Sequence, residues 1–277
     1  MNNRALIQEK LAQATAILQE FNVDVWLTFV RETTLSPDPA LELIADVDVT
    51  WKSAFLVTRS GQHVAILGHF DAENVRTLNL HSEVIGYHEG ISQPLREALA
   101  RLEPATIAIN YSEGDVAADG LSLGLYRSLL AILAGTPYVE RLVSAEQVIG
   151  ALRGRKSAEE IARVKTAVGV TEQLFDEVEQ FAKPGMSQRE IADFVRGRID
   201  ERGLDYAWPR PFNPIVTCGP DSAMGHAAPG EVVLQRGHLL HMDLGGEAKR
   251  LLLRYAADVV CAGRRGNGRS ARGAAGI

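Results

Sequence analysis

Three short apolar runs constrain this fold more than any other feature. Residues 23–29, "VDVWLTF", suit a buried strand, and residues 106–110, "TIAIN", suit another. Residues 53–70, "SAFLVTRSGQHVAILGHF", read as two strands with a turn at Ser60-Gly61. Helical patterns lie between and around them. Ile7, Leu11, Ala14, Leu18 and Phe21 fall four, three, four and three apart, which puts them on one helix face. "LSLGLYRSLLAIL" is a second helix, and "YVERLVSAEQVIGALR" reads as a final strand and turn. Alternation of this kind indicates an α/β layer domain over residues 1–150.

The pattern then changes. "KSAEEIARVKTAVGVTEQLFDEVEQFAK" is a long amphipathic helix with Ser157 as its expected N-cap and Glu159 and Glu160 near its positive end. Lys183-Pro184-Gly185 stops it. Ser187 and Glu190 then have capping-box spacing, and Gly203 is a C-terminal stop for the helix between. "NPIVTCG" is a short strand running into a glycine turn, "GPDSAMGHAAPGE" a loop of turn formers, and "HLLHMDLG" a strand expected to end at Asp243-Leu244-Gly245. Two helices on a strand-loop-strand unit suggest an α+β domain. The boundary between the two regions falls near Gly150–Lys156.

A chain of 277 residues is long enough for two such domains. Its net charge of −6 argues against nucleic acid as a partner. Cys218 and Cys261 are too few and too isolated for a disulfide framework or a thiolate zinc site, so a reducing cytoplasm is the expected compartment. The start of the chain reads as an amphipathic helix rather than a targeting segment. No run approaches the ~18 apolar residues of a membrane span, so no membrane association is expected.

Few residues carry chemistry. His226 sits in a loop flanked by glycine and proline, where a histidine is placed to meet a ligand; the plainer reading is an ordinary loop histidine. Asp243 follows Leu239, Leu240 and Met242. A carboxylate at the end of a buried strand needs a partner or a metal, unless it is a turn aspartate serving Gly245 and Gly246. His241 shares Asp243's side of the strand, and His238 would do so only across a bulge. Asp221 and Ser222 read as turn formers and Cys218 as a small buried residue. Trp208 to Phe212 form an aromatic, proline-rich approach that lines a pocket or simply packs.

Taken in order, "RGRKSAEEIARVKTAV", "KPGMSQREIADFV", "IVTCGPDSAMGHAAPGE" and "GHLLHMDLGG" resemble the pita-bread metallopeptidases, nearest the Xaa-Pro aminopeptidase, prolidase and creatinase branch. The resemblance covers residues 1–249. It implies an α/β creatinase-type N-terminal domain (1–152) plus an α+β pita-bread catalytic domain whose first half is 153–249. It also implies two divalent metal ions (Mn, Co or Zn), held by two aspartates, a histidine and two glutamates, that activate a shared water. The activity implied is hydrolysis of the peptide bond before proline. Proline-containing peptides are then the substrates, and dimer contacts through the N-terminal domain are implied as well. Carried over by position, His226 is the catalytic, substrate-binding loop histidine and Asp243 the first metal aspartate. The second aspartate belongs eleven residues on, where this chain has Arg254. Asp258 comes four residues too late and is not taken for it. The remaining ligands belong to a portion that this chain is expected to lack.

Composition also changes at Arg250. Residues 250–277 hold six arginines, no lysine and one acid, giving +5, so residues 1–249 carry −11. The expectation is an aberrant basic tail produced by a shift of reading frame near Lys249. Displaced by one base, the codon junctions of "RLLLRY" can encode Gly-Tyr-Cys-Ser-Asp, with the aspartate where the family pattern needs one. The chain is accordingly expected to be C-terminally truncated, metal-poor and inactive. A genuine basic tail, a non-catalytic binding or scaffold module, and a creatinase-like C–N hydrolase are the alternatives.

Overall fold

The computed structural model describes residues 4–45, 47–223, 225, 227–248 and 251–260, with backbone alone for 246–248 and 251–260. The chain divides into two compact units, Met1–Ser157 and Ala158–Ile277.

The first unit is a three-layer α/β structure. Its elements in order are α1 (Arg4–Glu20), β1 (Val25–Val30), β2 (Ser53–Thr58), β3 (His63–Gly68), α2 (His69–Leu78), β4 (Glu83–Tyr87), α3 (Ser92–Leu102), β5 (Ile107–Ile109), α4 (Leu123–Leu133), β6 (Leu142–Ser144) and α5 (Glu146–Gly154). The sheet order is β4-β3-β2-β1-β5-β6. Five strands point one way and β2 opposes them, because β2 forms hairpin-like antiparallel pairs with both β1 and β3. Every residue of β1 and β2 is buried, as a sheet covered on both faces requires. One core gathers Ile7, Leu11 and Leu18 of α1, Val75 of α2 and Val148 of α5 over Trp26 and Phe55. The other gathers Leu95 and Leu99 of α3 with Leu125 and Leu129 of α4 over Leu27 and Leu56.

Turn chemistry explains the hairpin at Ser60-Gly61. Gly61 takes φ +85°, and the Thr58 hydroxyl accepts the Gln62 N–H at 2.8 Å. The stretch expected to be a final strand and turn is instead a 3₁₀ turn, the short β6 and the helix α5. Val148, Ile149 and Leu152 set the buried face of α5, and its last carbonyls are capped across the fold. The buried Lys10 ammonium donates to Leu152 O at 2.8 Å and Arg155 O at 3.1 Å. One stretch, Val116–Leu133, is apolar and long enough by composition to cross a membrane, contrary to the sequence expectation. In the structure it is split between a 3₁₀ turn and the eleven-residue α4. Such a helix spans about 16 Å at 1.5 Å per residue, about half of a hydrocarbon core. Leu125, Leu129, Ile132 and Leu133 of α4 face the protein core.

The second unit packs α6 (Ala158–Phe181) and α7 (Gln188–Glu201) on a curving set of strands: β7 (Asp205–Tyr206), β8 (Ile215–Cys218), β9 (Leu239–Ala248) and β10 (Leu251–Val260). β9 is the centre. β10 pairs along its whole length on one edge, while β8 and β7 share the other edge, all antiparallel. α7 starts with the capping box that its sequence calls for: Ser187 Oγ accepts the Glu190 N–H and the Glu190 carboxylate accepts the Ser187 N–H. That bond holds the Glu190 carboxyl below the usual carboxylate range. Gly203, at φ +61°, ends α7, and the Leu204 N–H reaches back to Ile199 O at 3.2 Å. Leu174 and Val178 of α6 and Ile191, Val195 and Ile199 of α7 meet Val216, Leu240, Met242 and Leu244 in one core.

Candidate functional site

Alternation along β9 decides which side chains are available for chemistry. Leu240, Met242 and Leu244 face the helices, so His241, Asp243 and Gly245 take the opposite face. His241 does share Asp243's side, as its spacing indicates. Asp243, 5% exposed, is among the buried charged residues of the fold. It is not the end of its strand, because β9 continues to Ala248. Gly245 pairs with Arg254, and Gly246 with Leu253 and Tyr206, so the glycines extend the ladder instead of forming a turn. Asp243 is therefore not a turn aspartate.

The strand register names Asp243's neighbours. Ile215 stands opposite on β8 and Ala256 opposite on β10. One step along the same face, Gly245 is paired with Arg254; one step the other way, His241 is paired with Thr217 and Asp258. Positions 254 and 258 thus flank the residue facing Asp243 at equal register offset. His226, the other expected site residue, lies outside the described residues.

The loop that carries residue 226 is tied down at both ends by Gln188, the first residue of α7. Gln188 Nε2 donates to Ser222 Oγ at 2.8 Å, and Gln188 Oε1 accepts the Gly230 N–H at 3.0 Å. Ser222 is the turn former that its position suggests. Its hydroxyl accepts the Cys218 N–H at 2.7 Å and donates to Cys218 O at 2.7 Å, which exhausts its capacity. Cys218 is a buried thiol, directed at Val232 O at 3.6 Å. His238 precedes β9 rather than joining its face across a bulge. Its ring covers Gly219, which has φ +66°; a Cβ there would come within 2.3 Å of His238 Nδ1. The same nitrogen accepts the Gln235 N–H at 3.3 Å.

Residues 208–213 pack as a rigid turn. Trp208 Nε1 donates to Phe212 O at 2.8 Å. The half-turn of carbonyls is gathered by Arg196 of α7, whose Nε donates to Arg210 O and Asn213 O at 3.1 Å each and whose Nη2 donates to Pro211 O at 2.9 Å. Arg196 is only 9% exposed. The fully buried Asn213 then donates from Nδ2 to Gly245 O at 2.6 Å, two residues along β9 from Asp243. Its Oδ1 is buried without a hydrogen-bond partner among the described residues. The Tyr206 hydroxyl and, from this turn, the Arg210 guanidinium hold the Asp200 carboxyl below its ordinary range. Arg196, Asn213 and Gln188 were not singled out from sequence. The signal available for Arg196 was its place on the apolar side of α7, between Val195 and Ile199.

Among the described residues no group of three or more His, Cys, Asp or Glu side chains is placed to hold a metal ion. Asp243's direct cross-strand neighbours are isoleucine and alanine, neither of which can ligate.

Residues 162–265 match metallopeptidase family M24. An uncharacterized peptidase of Staphylococcus saprophyticus is 25% identical over 241 residues, covering 85% of this chain and 61% of its own length. The peptidase YqhT of Bacillus subtilis is 26% identical over 141 residues, covering 51% of this chain and 37% of its own. Among solved structures, an Xaa-Pro dipeptidase from Bacillus anthracis superposes with a TM-score of 0.67 at 17% identity, over 93% of this chain and 66% of that one. An X-Pro aminopeptidase from Thermotoga maritima gives a TM-score of 0.61 at 19% identity, over 90% of this chain and 64% of that one. At these identities the structural likeness is one of fold. The chain spans less than two thirds of the length of these relatives.

Proposed function

We propose that this chain, whose residues 162–265 match metallopeptidase family M24, descends from a peptidase that cleaves the bond before proline, and that the 277-residue chain does not itself catalyse that reaction. The observation that carries this reading is the β9–β10 register. Asp243 is a buried carboxylate on the face of β9 turned away from the helices, at the position that the resemblance assigns to the first metal ligand, while the residue eleven positions on, one register step away, is Arg254. An arginine at that sequence position supplies no lone pair to a cation, where the family pattern calls for a carboxylate. In an intact relative the metals would activate water. What this chain's own residues do is position: Gln188 anchors the 219–230 loop, and Arg196 and Asn213 fix the turn that leads into β8.

A displaced reading frame after about Lys249 accounts for both Arg254 and the basic composition beyond it. Sequencing the gene through the codons for residues 247–258 tests this. The frame account requires an acid codon across the Arg254–Tyr255 junction and an open frame beyond it. A chain made in that frame should release the first residue from Xaa-Pro peptides in the presence of Mn²⁺. A closed displaced frame, or a folded, metal-loaded but inert product, overturns the account.

One observation favours a second reading. The family match continues to residue 265, past the change in composition, and Asp258 occupies the register offset that mirrors Arg254's. On this reading Asp258 takes over as the second carboxylate, in a genuine lineage-specific strand. Metal binding by the 277-residue chain that is lost in both Asp243→Asn and Asp258→Asn would support it over the first.

A further inference from the structure

A cleft of about 760 Å³ lies within the first unit, remote in sequence from Asp243 and bordered only by residues 31–132. It sits beyond the carboxyl ends of β1 and β4, against the first turn of α3, with α4 forming one wall. Open α/β sheets bind small ligands at this edge, because strand ends stop there and helix amino ends begin. No side chain caps the amino end of α3, so the Ser92 and Gln93 N–H groups have no side-chain cap where Ile91 and Ser92 border the cleft; Pro94, next in the turn, has no N–H.

Three cations border the cleft: Arg31, Lys52 and Arg96. None makes an ion pair with a carboxylate among the described residues. Lys52 Nζ donates to Ser128 Oγ at 2.8 Å, and Arg96 Nη2 donates to Ala134 O at 2.9 Å. Both are thereby held in place with their charge uncancelled. Glu32 and Glu89 also lie on the border, and the Asp71 carboxylate accepts the border residue Thr50's N–H at 3.0 Å, so the three cations are balanced in number by three acids, none of them ion-paired to a cation of the cleft, and the α3 amino end adds to the positive side.

The cleft also holds an aromatic platform. Trp51 is 41% exposed, although its ring is fixed from behind. A Cβ on Gly68 would come within 2.6 Å of the indole, so the ring lies directly on that glycine. Tyr87 packs against it at 5.8 Å between centroids, and the Tyr87 hydroxyl donates to Lys52 O at 2.7 Å. One bond therefore links the platform to the backbone of a cation. A rigid, half-exposed indole beside unpaired cations is a stacking surface.

We propose that this cleft binds a small organic anion, a carboxylate or a phosphate monoester, whose flat ring stacks on Trp51 while Arg31 and Lys52 hold the charge. Calorimetric titration of the full chain at low salt with phenyl phosphate, benzoate, methyl phosphate and acetate tests it. Phenyl phosphate or benzoate should saturate, roughly three- to tenfold tighter than its ringless counterpart. Comparison of the phosphate and carboxylate arms identifies the head group. The pair Arg31→Gln with Lys52→Met should weaken binding by about tenfold or more. Trp51→Ala should keep anion binding and lose the preference for a ring. Where the double variant lowers the melting temperature, Arg31→Gln alone carries the test, since Arg31 is exposed. Binding that survives the charge substitutions, a ring preference that survives Trp51→Ala, or failure of every probe to saturate by about 10 mM would overturn the proposal.

Discussion

Replacing Arg196 by Met tests how the approach to the candidate site is held. Met keeps most of the apolar stem and removes the guanidinium. Arg196 Nε–H is shared between Arg210 O and Asn213 O, and Nη2 serves Pro211 O, so the substitution removes two donor groups from three carbonyls, that of Asn213 buried and the other two partly so. A hydrogen bond to a charged group contributes about 1.5–3 kcal/mol, and neighbouring losses add incompletely, so a total of about 3 kcal/mol is expected. The pair with Asp193, at 60% side-chain exposure on the acid, adds little. The loss falls on residues 209–218, which carry Asn213 and the start of β8. Hydrogen exchange read by mass spectrometry should show roughly hundredfold faster exchange across that segment. Peptides of the first unit should be unaffected. If residues 209–218 exchange less than threefold faster, the clamp is not what fixes the turn, and the positional argument around Asn213 fails with it.

The first unit makes its own predictions. His81 is held down to about 4 from its ordinary 6.5 by burial and, secondarily, by His63, and its Nε2 has no partner among the described residues. The unfolded chain then binds more protons between those values. The stability due to this group is complete above pH 6.5 and is lost as pH falls towards 4, by about 2–3 kcal/mol. Urea midpoints for His81→Leu should flatten over that window, and a slope matching the parent's would refute the assignment. Lys10→Met should cost about 2–3 kcal/mol in the same assay by uncapping α5; a cost below about 0.5 kcal/mol would show the cap to be idle. Gly219→Ala combines φ +66° with a 2.3 Å approach to His238, and should destabilise the second unit by about 2 kcal/mol or more.

Local physics made much of the fold legible. The β2–β3 hairpin announced itself through apolar runs on either side of Ser60-Gly61, and α7 through Ser187, Glu190 and Gly203. The sequence reading passed over α2, β4 and α3, because β4 is half-buried and short and the two helices bury only two or three residues each. It merged α5 with the strand before it, since Val148, Ile149 and Leu152 follow β6 with a single residue between the elements. At the site, alternation along β9 correctly joined His241 to Asp243. The strand's true length was hidden by Gly245 and Gly246, which favour turns locally but are held extended here by strands on both edges. Arg196, Asn213 and Gln188 act across 14 to 42 residues of chain, a distance over which no local pattern reports.

The most direct test of the central claim is turnover by the 277-residue chain itself. The chain is incubated with Mn²⁺, Co²⁺ or Zn²⁺ and an Xaa-Pro dipeptide or tripeptide, and released amino acid is measured against a metal-free control. The account predicts no release above that control with any of the three ions. Metal-dependent release that disappears in Asp243→Asn would contradict it, and would mean that Asp243 works within a complete centre despite Arg254.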